Sequence, residues 1–130
     1  MTVQKVLGAV VLLLAATTAQ AEVTPNDPLP VHILTCGGSI ITAIGGRLEG
    51  DTDFSTGTHV DYKNGGAGVS YEKEAAVANS KIGDHVLICL VFIPRDCPAG
   101  DDRGKIYTTT NLRTLESWTL PDSQHSCGGA

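Results

Sequence analysis

The chain has 130 residues and a formal net charge of −5, from nine Lys and Arg against fourteen Asp and Glu. This length accommodates one compact domain with a modest core and leaves no room for a second domain. The acidic balance argues against nucleic acid and anionic membranes as partners, and it is typical of a protein that binds a basic partner or is simply kept soluble.

The first 21 residues show the three zones of a cleavable secretory signal. Lys5 supplies the positive charge, residues 6–16 are an almost unbroken apolar run, and Ala19-Gln20-Ala21 has the small-residue pattern that signal peptidases cleave. The apolar run is too short to span a bilayer, which takes about 20 residues. We expect cleavage before Glu22 and a mature chain that is periplasmic or secreted and not membrane-bound. Loss of Lys5 leaves eight basic residues against fourteen acidic ones, a net charge of −6.

Four cysteines in a short exported chain predict two disulfides, because an oxidising compartment preserves them and a small core benefits from them. Three pairings are possible. We favour Cys36 with Cys127, which joins the ends of the domain, and Cys89 with Cys97, which closes a short loop. A metal site is disfavoured, because no C-x-x-C spacing occurs and export disfavours free thiolates.

The mature chain begins with a proline-rich stretch. Residues 22–30 contain three prolines and predict a flexible leader, so that the single β domain covers residues 31–130. Two β-prone runs follow at 31–36 and 39–44, and Gly37-Gly38 between them predicts a hairpin or a bulged bend.

The next segment predicts a hairpin. Residues 58–62 alternate as a half-buried strand does, and Asn64-Gly65 is typical of a tight turn with positive backbone φ angles. A partner strand is expected to begin near Val69. Residues 71–79 are compatible with a helix, but their apolar positions do not sustain a helical stripe, and we favour a strand over 69–77.

The strongest strand is the apolar run at 85–93, which predicts burial. After a Pro-, Gly- and Asp-rich loop at 94–104, residues 105–110 and 116–120 predict a last hairpin that ends at Pro121. About seven short strands with few helix candidates indicate an all-β fold, a small disulfide-stapled antiparallel β-barrel or sandwich, with the barrel favoured.

Two segments are candidates for binding a partner. The first is the loop that carries Arg95, Asp101, Asp102 and Arg103, because flanking Cys97, Pro98 and glycines brace it and a braced loop displays charged groups well. A solvated loop has the same composition, so that alternative stays open. The second is the tail over residues 122–130, which carries His125.

Neither a metal site nor a cofactor is predicted. Asp51-Thr52-Asp53-Phe54-Ser55 offers alternating oxygen ligands, but Gly57 comes one position late for a calcium loop and no Glu follows at the twelfth position. The histidines lie too far apart in sequence to share one element; they are His32, His59, His85 and His125.

No catalytic residue is predicted either. Asp122, Ser123, His125 and Ser126 are the residue types of a hydrolytic triad, but they crowd into one segment and lack a G-x-S-x-G elbow. Adjacent residues on one tail seldom reach the geometry that a nucleophile and its base need.

The C-terminal third resembles a family of small exported alphaproteobacterial proteins, on the segments NLRT at 111–114, SWTLPDSQH at 117–125 and CGGA at 127–130. That family is uncharacterised, so the resemblance implies bacterial export and carries over no activity. In outline the chain is also similar to periplasmic inhibitors of c-type lysozyme, which are acidic barrels with a cysteine near each end. Those inhibitors insert a loop with a Ser-Gly start and a nearby aromatic, whereas Gly68-Val69-Ser70-Tyr71 here has a different order.

The sequence therefore favours a non-enzymatic binding module of the periplasm or secreted space, with a protein partner in the envelope or outside the cell. The alternatives are an inhibitor of a lysozyme-like enzyme, a small hydrolase that uses carboxylates or His125, and a structural envelope protein without a ligand.

Overall fold

The computed structural model describes residues 23–129, and the expected signal at 1–21 lies outside this part of the chain. The predicted all-β class is confirmed: the described residues form six strands and one four-residue helix. The elements are β1 (Cys36–Gly45), β2 (Thr58–Tyr62), β3 (Ala67–Ser70), α1 (Ala75–Ala78), β4 (His85–Phe92), β5 (Ile106–Asn111) and β6 (Ser117–Pro121).

All six strands belong to one antiparallel sheet in the order β3-β2-β1-β4-β5-β6. The sheet curls into a half-barrel, which brings its two end strands together. A Cβ placed on Gly68 of β3 would lie 3.3 Å from Cδ1 of Leu120 in β6, so the two strands approach each other closely here. The predicted barrel is thus an open one, with a seam between β3 and β6.

The core fills the concave face of this sheet. Alternate residues of β2 and β5 point inward, as a strand with one buried face requires. The buried Tyr62 hydroxyl accepts a hydrogen bond from Trp118 Nε1 at 2.8 Å and donates one to Thr109 Oγ1 at 3.2 Å. Burial raises the pKa of Tyr62 to about 12. The core residues are Ile41, Val60, Tyr62, Ala76, Val77, Val86, Ile88, Leu90, Tyr107, Trp118 and Leu120.

Strand β1 runs straight through Gly37-Gly38, where the sequence predicted a bend, and it begins at Cys36 rather than at residue 31. These glycines lie under the expected leader, whose residues 23–30 make defined contacts with β1. The Asp27 carboxylate accepts the Gly38 N–H at 2.8 Å, and the Asp27 N–H donates to the Gly38 carbonyl at 3.1 Å. A side chain on Gly38 would collide with the carbonyl oxygen of Thr24. The two glycines therefore allow close approach of the leader and do not make a turn.

The strand prediction for 69–77 is wrong beyond Ser70, because β3 ends there and α1 covers Ala75–Ala78. Thr58 turns the chain: its hydroxyl donates to the Glu72 carbonyl at 2.8 Å and accepts the Glu74 N–H at 2.7 Å. Ala76 and Val77 are then buried in the core. Tertiary burial thus outweighs the weak helical pattern of this segment.

The predicted hairpin between β2 and β3 is confirmed, but its turn is of another type. Gly65 has a φ of 87°, whereas Asn64 stays in the ordinary negative region. The Gly65 N–H donates to the Tyr62 carbonyl at 3.0 Å. This is the longer hairpin turn in which only the last loop residue needs a positive φ.

The four cysteines form two disulfides, but the predicted pairing of Cys36 with Cys127 and of Cys89 with Cys97 is wrong. The bridges are Cys36–Cys89 and Cys97–Cys127. Cys36 and Cys89 lie directly opposite each other in β1 and β4, so the register of the sheet determines this pair. Two disulfides indicate an oxidising, non-cytoplasmic compartment. No helix in residues 23–129 combines the length and hydropathy of a membrane span.

Candidate binding site

The two candidate binding segments, loop 94–104 and the tail from 122 onward, meet in the structure. The Cys97–Cys127 disulfide joins them covalently, with Cα atoms 5.3 Å apart. The Cys127 N–H donates to the Arg103 carbonyl at 2.9 Å, and the Gly104 N–H donates to Asp122 Oδ1 at 2.8 Å. The loop and the tail therefore form a single surface.

Asp101 stabilises this surface by hydrogen bonds to both the loop and the tail. Its carboxylate accepts Nε and Nη2 of Arg103, both at 2.9 Å, and the Gly128 N–H at 2.9 Å. The Arg103 hydrogen bonds are the main reason why the pKa of Asp101 lies well below its usual range. Arg103 also donates to the Gly129 carbonyl at 3.1 Å. Asp101 and Arg103, both predicted to bind a partner, thus already bind each other and the tail.

The other predicted residues are dispersed. Asp102 is exposed and forms an ion pair with Lys105 at 3.3 Å. Arg95 is exposed and does not line the hollow described next. His125 is exposed but lines a concave surface beside Arg103.

That concave surface, which we call the Arg47 hollow, has a volume of about 450 Å³. It combines two residues predicted from sequence with others from β2, β3 and the segment after β1. Its size is in the range of small-ligand sites. The lining residues are Arg47, His59, Val69, Arg103, Ser123, Gln124 and His125.

Arg47 is the best-positioned cation of the hollow. Its Nε donates to the Thr56 carbonyl at 3.1 Å, its Nη1 donates to Gln124 Oε1 at 2.8 Å, and its guanidinium carbon lies 4.5 Å from the centre of the Tyr71 ring. Within residues 23–129, no carboxylate oxygen lies within 4 Å of the Arg47 nitrogens. Arg47 is therefore fixed in place, yet its charge is not neutralised by an ion pair.

The loop that carries Arg47 is shaped by Asp51. Asp51 Oδ2 accepts the Thr56 hydroxyl at 2.6 Å and the Thr56 N–H at 2.8 Å, while Oδ1 accepts the Asp53 N–H at 3.0 Å. The Thr56 hydroxyl is the main reason why the pKa of Asp51 is strongly lowered. The alternating oxygens in this segment thus hold the loop, and they orient the Thr56 carbonyl that receives Arg47.

His59 forms part of the hollow together with Val69, its direct partner across β2 and β3. His59 Nε2 lies 3.0 Å from Asp61 Oδ1, so its ring is oriented by a neighbour on the same face of β2. Of the four dispersed histidines, the fold thus brings His59 and His125 to one concave surface. Among residues 23–129, no three His, Cys, Asp or Glu side chains cluster as metal ligands do.

The residues that resemble a hydrolytic triad are not arranged as one. The Ser123 hydroxyl donates to the backbone carbonyl of His125 at 2.7 Å, so it is not directed at the imidazole. The Asp122 carboxylate accepts the Gly104 N–H instead of orienting a histidine. These side chains hold the tail in its conformation.

The stretch compared with the lysozyme-inhibitor loop lies at the edge of the sheet. Gly68, Val69 and Ser70 belong to β3, and Tyr71 follows as an exposed side chain under Arg47. The stretch is part of the sheet and does not project from it.

Arg47 was missed by the sequence analysis, because its partners Thr56, Tyr71 and Gln124 come from separate parts of the chain. Its position after Gly45-Gly46 in a polar stretch gave no functional signal. No protein-family model, no curated protein and no solved structure matches this chain.

Proposed function

We propose that this protein is an exported, non-enzymatic binding module that recognises an anionic group of its partner in the Arg47 hollow. The observation that carries the proposal is the fixed guanidinium of Arg47, which faces a concave surface without a carboxylate partner. The chain has fourteen acidic residues against nine basic ones, yet within residues 23–129 no carboxylate pairs with Arg47.

The chemistry of the hollow suits a carboxylate or a phosphate. A guanidinium presents several N–H donors in one plane, and with Nε and Nη1 engaged by protein oxygens Arg47 retains Nη2 for a ligand. Hydrogen bonds between ionised groups are about twice as strong as neutral ones. His59 and His125 add polar atoms at the rim, while Arg103, neutralised by Asp101, shapes the wall.

Two features support export to the periplasm or the secreted space, where the partner would be a protein of the envelope or the surroundings. The first 21 residues have the pattern of a cleavable signal, and both disulfides suit an oxidising compartment. Fractionation of producing cells and N-terminal sequencing test this: we expect a product that begins Glu-Val-Thr outside the cytoplasm. A full-length cytoplasmic product would contradict it.

Binding is favoured over hydrolysis because Ser123 and Asp122 direct their side chains to backbone groups of the tail and the loop. Neither group is then available in the arrangement that activates a nucleophile. A rigid, disulfide-linked surface of this kind matches a scaffold for recognition.

The proposal is tested by NMR titration of the ¹⁵N-labelled domain with succinate and with inorganic phosphate, using glycerol as an uncharged control. We expect saturable shifts at the Arg47 Nε–H, His59 and Val69 with an anion. Arg47→Gln should abolish them, and Arg95→Gln, which removes the same charge outside the hollow, should not. Shifts that are absent, or that persist in Arg47→Gln, would refute the anion site.

A further inference from the structure

A second concavity continues the Arg47 hollow along the seam of the half-barrel. It has a volume of about 400 Å³ and lies between the end of β3, with Tyr71 and Glu72, and the end of β6, with Thr119. It shares Val69, Ser123 and Gln124 with the Arg47 hollow. The two concavities therefore form one elongated groove, with the Arg47 guanidinium in one part and two strand ends in the other.

Strand β3 is the end strand of the sheet on this side of the groove, and its edge away from β2 pairs with no other strand. The Tyr62 N–H donates to the Gly66 carbonyl at 2.9 Å, which identifies Tyr62 and Gly66 as a hydrogen-bonded pair of the β2–β3 ladder. Such pairs alternate with non-bonded ones, so His59 and Val69, which face each other in the register, exchange no hydrogen bond. The N–H and C=O of Val69 consequently point away from β2, and among the six strands β3 pairs with β2 alone.

The same reasoning applies to β6 on the opposite wall. The Asn111 N–H donates to the Glu116 carbonyl, and the Asp122 N–H donates to the Lys105 carbonyl, both at 2.9 Å. Between these two pairs the alternation leaves the N–H and C=O of Thr119 pointing away from β5. Both walls of the groove are thus edge strands, since β3 and β6 stand at the two ends of the sheet.

Resting on the proposed function, we infer that the ligand is a short extended peptide, which pairs its backbone with the β3 edge at Val69 and places a carboxylate on Arg47. An unpaired strand edge is complementary to a peptide backbone, because alternate N–H and C=O groups add one more strand. The carboxylate supplies the charge that Arg47 lacks among its present contacts. The contact between Gly68 and Leu120 closes the seam beside Val69, so only a few ligand residues can pair.

The test uses four Thr/Val pentapeptides, with calorimetric titration of the whole mature domain. The first has a free terminal carboxylate, and the second is its C-terminal amide. The other two peptides are free acids with N-methyl groups on the backbone. One of them is methylated at residues 2 and 4, and the other at residues 3 and 5. We expect the amide to bind about tenfold more weakly or worse, since it lacks the charged acceptor. One N-methylated peptide should bind about tenfold more weakly than the parent peptide, and the other should bind nearly as well, because only alternate N–H groups of an extended peptide face the sheet.

Protein variants complete the design. Arg47→Gln should weaken the free acid to the level of the amide, while Arg95→Gln should leave its affinity unchanged. Circular dichroism checks that each variant is folded. An amide that ends in Asp distinguishes an acidic side chain from a terminal carboxylate as the source of the charge.

The outcomes separate this inference from the proposed function. If both N-methylated peptides bind as well as the parent, strand pairing is refuted, even where loss of the carboxylate still weakens binding. If no peptide binds but succinate still shifts the Arg47 resonances, the peptide inference fails and the anion site stands. If neither succinate nor any peptide binds, both fail.

Discussion

Arg113 donates Nε and Nη2 to the two carboxylate oxygens of Asp84, each at 2.7 Å, and the Asp84 side chain is only 9% exposed. Asn111 Nδ2 donates to the same carboxylate at 2.8 Å and to the Ser80 hydroxyl at 2.8 Å. The Lys81 N–H adds a further donor at 2.8 Å. This network ties the β5–β6 hairpin to the segment between α1 and β4.

Asp84→Asn removes the charge from this network while keeping its shape. The amide cannot accept both arginine donors, so the ion pair of the buried Asp84 side chain is broken, and we expect the free energy of unfolding to fall by about 2–3 kcal/mol. Urea unfolding followed by tryptophan fluorescence measures it. Asp102→Asn removes a carboxylate whose ion pair with Lys105 is exposed, and should change little. Equal effects of the two substitutions would show that the Asp84 network does not stabilise the fold.

Acid should destabilise the protein through three carboxylates. The pKa of Asp84 is lowered mainly by its hydrogen bonds from Arg113, that of Asp101 by Arg103 and that of Asp51 by the Thr56 hydroxyl. A carboxyl with a lowered folded pKa stabilises fully above its unfolded pKa, about 3.9, and this stability is lost as the pH falls toward the folded value. We expect a free energy of unfolding that is level near neutrality and declines below about pH 5. Urea unfolding from pH 7 to pH 3 measures the decline, which should be shallower in Asp84→Asn. The same slope in both proteins would contradict this assignment.

The two disulfides should differ in their effect on binding. By chain entropy, bridges that span 30 and 53 residues each stabilise by about 4 kcal/mol. Replacing both Cys97 and Cys127 by Ser frees the tail that forms one wall of the Arg47 hollow, so anion binding should be lost. Replacing both Cys36 and Cys89 by Ser should cost similar stability and keep binding. NMR titration of each variant with succinate, below its unfolding temperature, measures anion binding. Retained binding in the variant without Cys97 and Cys127 would contradict the role of the tail.

Leu34 has a φ of 64° and is 82% exposed, so its backbone is strained while its side chain contributes little burial. Its N–H donates to the Leu90 carbonyl at 2.8 Å, which fixes this conformation. Leu34→Asn should raise the free energy of unfolding by about 0.5–1 kcal/mol, because Asn tolerates the left-handed region better. Leu48→Asn, at an exposed leucine without positive φ, is the control in the same urea experiment. A similar gain in both would indicate that the effect does not come from the backbone.

Much of the fold could be predicted from periodicity. The alternation of β2 and the apolar run of β4 are local properties, so their predicted bounds agree with the structure to within a residue. Gly37-Gly38 predicted a bend because glycine is common in turns. The contact that explains these residues comes from the leader, and local sequence does not contain it.

The candidate site could be predicted only in part. Arg103 and His125 stood out because they lie in charged or polar segments, but Arg47 becomes notable only when Thr56, Gln124 and Tyr71 converge on it. The disulfide pairing failed for the same reason, since sequence separation carries no information about which strands are neighbours. Both the contacts of Arg47 and the disulfide pairing depend on which distant parts of the chain become neighbours in the fold.

The Cys97–Cys127 bridge has a consequence for when the protein becomes able to bind. Cys127 follows Cys97 by 30 residues, so the bridge can form only after synthesis has passed both cysteines. The wall formed by Ser123, Gln124 and His125 is completed only after Cys127 reaches an oxidant and is joined to Cys97. Reduced molecules consequently lack the covalent link between the loop and the tail, and under the proposed function we expect them to bind an anion less well.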